Sequence, residues 1–372
     1  MVDMKDSFGR EIDYMRISIT DRCNYRCLYC MPGGCEKVSM SDILTFEEIA
    51  EICRAAGALG IVNYKITGGE PLARLGCAAL VKMIKDLPDT RQVTLTTNGE
   101  LLADALGDLL DAGLDAVNIS IDSLVPERFE YITGGGSLAK VKEALGMAIA
   151  SGIRTKVNCL IQKGFNEDEI TDFAALAFEK GIDVRFIEMM PVGFGETEKG
   201  ISNEDIISLL AEKFPGLEAD GSVHGNGPAV YYHIPGKKGA VGLISAIHGV
   251  FCGRCNRIRL TSQGELRPCL CYEDSVDLVP YLGRQERRHD NDGLMQAICT
   301  AIAGKPRQHC FNELAGEQGA AGSKSGGRGS FGQDASGQDA SGLRSGDREM
   351  EKRTAGDNSP VRRTRPMVQI GG

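Results

Sequence analysis

The chain has 372 residues, of which 42% are hydrophobic, and a formal net charge of −9. That length suits one large α/β domain with a smaller appendage, and the acidic balance argues against nucleic-acid binding, which draws most of its affinity from basic surface. No apolar run is long enough to cross a bilayer and no leader-like start is present, so a cytoplasmic protein with no membrane partner is expected. In such a reducing compartment the 13 cysteines, an odd number, point to metal ligation before disulfides.

The first strand-like segment is Arg16–Thr20. Beyond it, in the loop that follows, Cys23, Cys27 and Cys30 are spaced C-x3-C-x2-C. Thiolate clusters usually take four cysteines, so three leave one iron of a [4Fe–4S] cube open to a small bidentate molecule. Zinc would ask for a fourth ligand that this loop lacks. A helix is expected over Thr45–Leu59, where Thr45 and Glu48 form a capping-box pair and Phe46, Ile49, Ile52 and Cys53 share a face. The next strand, Val62–Thr67, runs into Gly68-Gly69-Glu70-Pro71.

From there strands and helices alternate. Strands are expected at Gln92–Thr96, Ala116–Ser120, Lys156–Ile161 and Val184–Ile187, and helices at Cys77–Leu87, Leu101–Ala112, Leu138–Ala150, Asp168–Glu179 and Asn203–Phe214. Repeated β-then-α units imply a parallel sheet with right-handed crossovers. Polar groups such as Thr96-Thr97-Asn98-Gly99 and Ser120-Ile121-Asp122 follow the strands, where such sheets gather their functional residues. A shared site on one face of an open barrel is the expectation.

Near residue 215 the rhythm changes to Gly- and Pro-rich segments. Cys252, Cys255 and Cys269 then form a second trio, C-x2-C-x13-C, again one ligand short of a cube; a zinc ribbon closed by Cys271 is the alternative, and the third ligand is either Cys269 or Cys271. Arg257 and Arg259 alternate on a strand and so face one side, and planar guanidinium groups suit purine edges and phosphates. Residues 315–360 are rich in Gly, Ser, Asp, Gln and Arg, with Gly-Gln-Asp-Ala-Ser repeated at 332–336 and 337–341, and read as a flexible linker. The expected division is a core barrel at 1–214, a second-cluster region at 215–314, the linker at 315–360, and a tail at 361–372 ending in Gly371-Gly372.

The first trio with Tyr29 resembles the radical S-adenosylmethionine (SAM) signature, and Gly68-Gly69-Glu70-Pro71 resembles that superfamily's SAM-binding turn. The second trio with Arg-x-Arg behind it is similar to the GTP 3′,8-cyclase family of molybdenum cofactor biosynthesis. That likeness spans about residues 8–312, takes in Val157-Asn158 and Arg185-Phe186-Ile187-Glu188, and resumes at Arg365-Pro366-Met367-Val368-Gln369-Ile370-Gly371-Gly372. It implies a partial (β/α)6 TIM-like barrel with two [4Fe–4S] clusters, the first on Cys23, Cys27 and Cys30 and the second on Cys252, Cys255 and Cys269.

By the same resemblance, Tyr29, Gly69, Ser120 and Met190 contact SAM beside Gly68 and Glu70. GTP is held by Arg16, Lys65, Thr96, Lys156, Arg257, Ile258 and Arg259, with Arg16, Arg257, Arg259, Gly371 and Gly372 serving catalysis. The implied reaction moves hydrogen from ribose C3′ of GTP and joins that carbon to guanine C8. An electron donor, a downstream cyclic pyranopterin monophosphate synthase and a homodimer are the implied partners. The chain departs from the family at Lys65, where Arg is common, at Asn63, where a basic residue is common, and in the low-complexity stretch before the tail. A twin-cluster radical SAM enzyme acting on peptides and a non-catalytic iron–sulfur or zinc protein are the rival readings.

Overall fold

The computed structural model describes residues 4–34, 38–190, 200–245, 247, 251–284 and 289–311. Six strands form its centre: β1 (Tyr14–Ser18), β2 (Asn63–Thr67), β3 (Gln92–Thr97), β4 (Ala116–Ser120), β5 (Arg154–Ile161) and β6 (Asp183–Glu188). All five neighbouring pairs are parallel. Helices α1 (Phe46–Ala58), α2 (Cys77–Lys85), α3 (Leu102–Asp111), α4 (Pro126–Thr133), α5 (Leu138–Ala150), α6 (Ile170–Lys180) and α7 (Asn203–Lys213) lie between or after them. The capping box at Thr45 and Glu48 is present, with Glu48 N–H on Thr45 Oγ1 at 3.2 Å and Thr45 N–H on Glu48 Oε2 at 2.7 Å.

Beyond residue 215 come β7 (Glu218–Asp220), β8 (Val230–His233), β9 (Ala240–Ile244), β10 (Arg257–Leu260), β11 (Glu265–Arg267), β12 (Val276–Asp277) and α8 (Asn291–Ala303). These strands extend the same sheet, whose order is β12-β11-β10-β1-β2-β3-β4-β5-β6-β9-β8-β7. β10 runs parallel beside β1, and β9 runs parallel beside β6. The barrel thus opens between two antiparallel edges, and the strand that carries Arg257 and Arg259 is part of its wall.

Two expectations are corrected. The first strand begins and ends two residues earlier than Arg16–Thr20: beyond Ser18 the chain meets the end of β2 and the turn after it, where Ile19 N–H donates to Thr67 O and Gly69 N–H donates to Thr20 O. Cys271 and Cys310 form a disulfide, with Cα atoms 6.0 Å apart, where only thiols were expected. The segments that carry these two cysteines lie face to face, with Cys310 N–H on Cys271 Sγ at 2.8 Å.

Side-chain parity then builds the interior. Met15, Ile17, Ile258 and Leu260 point into the apolar core under the helices, while Arg16, Arg257 and Arg259 on the same strands point the other way, into the barrel. Among the described residues no helix is long and apolar enough to cross a membrane.

Candidate active site

The first cysteine loop is pinned by the turn after β2. Gly69 N–H bonds Thr20 O at 2.7 Å and Glu70 N–H bonds Arg22 O at 2.8 Å. A Cβ on Gly69 would lie 2.2 Å from the Arg22 carbonyl oxygen, so glycine is required by this main-chain approach. Glu70 is buried, and its carboxylate accepts from Thr97 Oγ1 and Asn98 N–H at 2.7 Å and from Leu72 N–H at 3.0 Å. Burial raises its pKa to about 7 against those three bonds. Glu70 therefore bolts the Gly68-Gly69 turn to the end of β3.

The thiols themselves are partly exposed, and Cys23 receives donors. Cys23 Sγ accepts from Tyr25 N–H at 3.4 Å and lies 3.9 Å from the Asn98 amide nitrogen. Burial, then Asp122, Cys30 and Cys23, push the Cys27 thiol up, which shows how closely the trio and Asp122 are grouped. Tyr29 reaches from this loop to donate to Asp122 Oδ2 at 2.7 Å. Three sulfurs on one loop, with N–H groups aimed at the Cys23 sulfur, fit an iron–sulfur cube.

A cavity of about 290 Å³ is lined by Tyr29, Ser120 and Met190 together with the second trio, Cys252, Cys255 and Cys269. Here too the sulfurs accept main-chain donors, His309 N–H on Cys252 at 3.4 Å and Cys271 N–H on Cys269 at 3.5 Å. Burial raises the Cys255 thiol, but Arg257 and Lys305 bring it down to about 7. Cys271 is engaged with Cys310, which leaves Cys269 as the sulfur that lines the cavity.

Arg16, Thr96, Asn158 and Arg257 line both this cavity and a second, smaller one of about 120 Å³ deeper in the barrel. The deeper chamber is basic: Lys65, Lys156 and Arg185 line it with Arg16. Register explains part of this crowding. Lys65 stands beside Arg16, Arg16 beside Arg259, and Arg259 beside Arg267 on four neighbouring strands, which puts four cations in one row. Burial, then Arg185, Arg16 and Lys156, press the Lys65 ammonium well below its ordinary range. Burial and the nearby Arg257 and Arg185 bring Arg16 down to about 10 although Tyr14 opposes them. Burial and Arg16 likewise push Arg259 down.

Lys156 meets Asp183 at 2.7 Å, Tyr231 Oη at 3.1 Å and the His224 carbonyl. Arg16 Nε, Asn158 Oδ1 and Arg185 Nε have no hydrogen-bond partner among the described residues although all are buried. A cationic chamber with unpaired polar atoms fits an anionic ligand.

Of the residues expected from the sequence, Arg16, Tyr29, Thr96, Ser120, Met190, Arg257, Arg259 and the second trio share the larger cavity, and Lys65 and Lys156 line the smaller. Gly68, Gly69 and Glu70 form the wall behind the first cysteine loop. The Ile258 side chain is fully buried in the core, so only its main chain is left for a ligand. Asn63 is turned to Asp13 Oδ2, 2.9 Å from its amide nitrogen. Gly371 and Gly372 lie outside the described residues. Asp122, Asn158, Arg185 and Lys305 were not assigned from the sequence; Asn158 and Arg185 fall inside the family-like segments, which was their one signal.

The Radical SAM superfamily model matches residues 17–177, and the Molybdenum Cofactor Synthesis C model matches 182–311. A GTP 3′,8-cyclase of Peptoclostridium acidaminophilum is 46% identical over 83% of this chain and 94% of its own. That of Alkaliphilus oremlandii is 44% identical over 82% and 94%. Among solved structures, Streptococcus suis SuiB bound to S-adenosylmethionine matches with a TM-score of 0.56 at 13% identity, over 82% of this chain and 68% of that one. Native anSMEcpe with bound AdoMet matches at 0.53 and 15%, over 80% and 82%. At such identities these two structures speak for the fold alone.

Proposed function

Since the chain belongs to the GTP 3′,8-cyclase family of radical SAM enzymes, we propose how its residues divide the conversion of GTP to 3′,8-cyclo-7,8-dihydro-GTP. One observation carries this reading: Tyr29, Ser120 and Met190 line one cavity with Cys252, Cys255 and Cys269, and Arg16, Thr96, Asn158 and Arg257 line both it and a basic chamber. Cys23, Cys27 and Cys30 would hold the first [4Fe–4S] cluster, and Cys252, Cys255 and Cys269 the second. When bound, the first cluster and SAM supply the 5′-deoxyadenosyl radical that takes hydrogen from ribose C3′.

The chain's own groups do the rest. Lys65, Lys156, Arg16 and Arg185 hold the triphosphate in the deep chamber. Arg257 and Arg259, the Ile258 main chain and the second trio take the guanine end, with Thr96 between the two. A nucleotide fixed at both ends keeps C3′ beside the SAM side of the cavity, which is catalysis by proximity. Tyr29, oriented by Asp122, with Ser120 and Met190, shapes the SAM side and keeps water from it. The hydrogen lost at C3′ is made good by one electron and one proton, so the product is an isomer of GTP.

Arg16, Arg257 and Arg259 are the groups placed to stabilise charge as the ring closes. The family resemblance adds Gly371-Gly372 to that pocket, a soluble electron donor, the downstream pyranopterin synthase, a homodimer and a cytoplasmic setting. Anaerobic reconstitution with SAM, reductant and GTP should yield 5′-deoxyadenosine together with a new nucleotide of unchanged mass. Turnover of SAM to 5′-deoxyadenosine with GTP recovered intact would overturn the reading.

A further inference from the structure

A short strap after α8 holds every arm that carries a sulfur of the second trio. Arg10, ion-paired with Asp6, donates to the Cys252 carbonyl at 2.8 Å and to the Pro306 and Arg307 carbonyls at 2.6 and 3.1 Å. His309 N–H meets Cys252 Sγ, and Cys310 is joined to Cys271. At the head of the strap is Lys305, only 3% exposed. Its ammonium donates to Arg257 O at 2.7 Å and to Pro268 O at 2.6 Å. The first carbonyl lies two residues after Cys255, and the second immediately precedes Cys269.

We propose that Lys305 is a positioning residue of the second cluster: it clamps the Cys255 and Cys269 arms together and supplies the positive charge that the cluster's sulfurs face. The inference rests on reading this trio as cluster ligands. A buried ammonium is costly unless it is both hydrogen-bonded and balanced by negative charge. The two carbonyls meet the first need but are neutral. Burial pushes the Lys305 ammonium down; among the described residues Cys255 and Cys269 act on it as negative groups, while Arg10 and Arg257 oppose it. Thiolates around a cluster meet the second need. A cation fixed beside such a centre favours the form with one more electron, so Lys305 holds the second site's reduction potential up.

The test separates charge from clamping. Lys305→Gln retains N–H donors for the two carbonyls and loses the charge; Lys305→Arg retains the charge. Each variant and the parent chain are reconstituted anaerobically and titrated with dithionite, one electron per cluster, under electron paramagnetic resonance. In Lys305→Gln the second-site signal should need a more negative potential, by about tenfold in the reduction equilibrium or about 59 mV for one electron. The first-site signal should stay in place, and Lys305→Arg should restore the second. Loss of the second signal in Lys305→Gln with rescue by Lys305→Arg also supports the role. An unmoved second-site potential in Lys305→Gln, equal shifts at both sites, or loss of the second signal in both variants would overturn it. A parent chain with one cluster signal would instead sink the reading of the trio itself.

Discussion

Lys156 sits where an ammonium is hardest to keep. Burial brings it down to about 8; Asp183 opposes the shift, and Arg185 and Arg154 add to it. Below that value the side chain is charged and can meet a triphosphate; as pH rises through it, the empty enzyme loses the charge. KM for GTP should therefore climb above about pH 8 while kcat at saturation holds, because bound phosphate draws the proton back. Lys156→Arg should flatten the KM profile, and a flat profile in the parent chain would count against the assignment. Cys27→Ser should abolish SAM cleavage, since two thiols cannot hold the cube. Arg259→Ala should spare cleavage and lower cyclisation by about a hundredfold, the scale of losing one stabilising donor; chromatography of both products distinguishes them. The two cysteine groups stood out because Cys23, Cys27 and Cys30, and Cys252 and Cys255, are closely spaced along the chain, whereas the sequence left the sixth sulfur open between Cys269 and Cys271. The roles of Asp122 and Arg185 were not legible, although both lie in segments that the sequence singled out, and Lys305 was not at all, because each acquires its meaning from partners on remote segments, as Lys305 does from Arg257 and Pro268.

At the scale of elements, the contact between the turn after β2 and the first cysteine loop is the tightest constraint. Gly69→Ala would drive a methyl group against the main chain of Arg22, which cannot swing aside as a side chain would. The variant should fold with a lower melting temperature, by about 1–3 kcal/mol in stability, and should lose iron from the first site preferentially. Thr45→Ala should cost about 1 kcal/mol through its lost helix cap, readable by urea denaturation, with iron content unchanged. The β-then-α units up to residue 214 were visible because their helices are long enough to show a period. Helix α4 was hidden: it has eight residues, started by Pro126 and stopped by left-handed Gly134. The strands after 215 have two to five residues, too few for alternation to stand out. β10 was legible through Arg257 and Arg259, yet its place beside β1 is a long-range pairing that no local pattern carries.

Taken whole, the molecule sets an acidic total of −9 against an interior that gathers Lys65, Arg16, Arg259 and Arg267 in one row. Arg267 is 1% exposed; Glu265 accepts from its Nη2 at 2.6 Å, while its Nε and Nη1 have no partner among the described residues. Like charges held together in a poorly solvated space repel, and the fold must bear that repulsion whenever no anion is bound. A polyphosphate in the deep chamber relieves it at Lys65 and Arg16, so the substrate also acts as a counter-ion for folding. At a hundred times its Kd, GTP should add about 2.7 kcal/mol to stability; differential scanning fluorimetry should show tripolyphosphate reproducing much of the gain, guanosine little, and potassium chloride eroding it. Stocks stripped of nucleotide would then age fastest, and shelf life would decline before any change in chemistry could be measured.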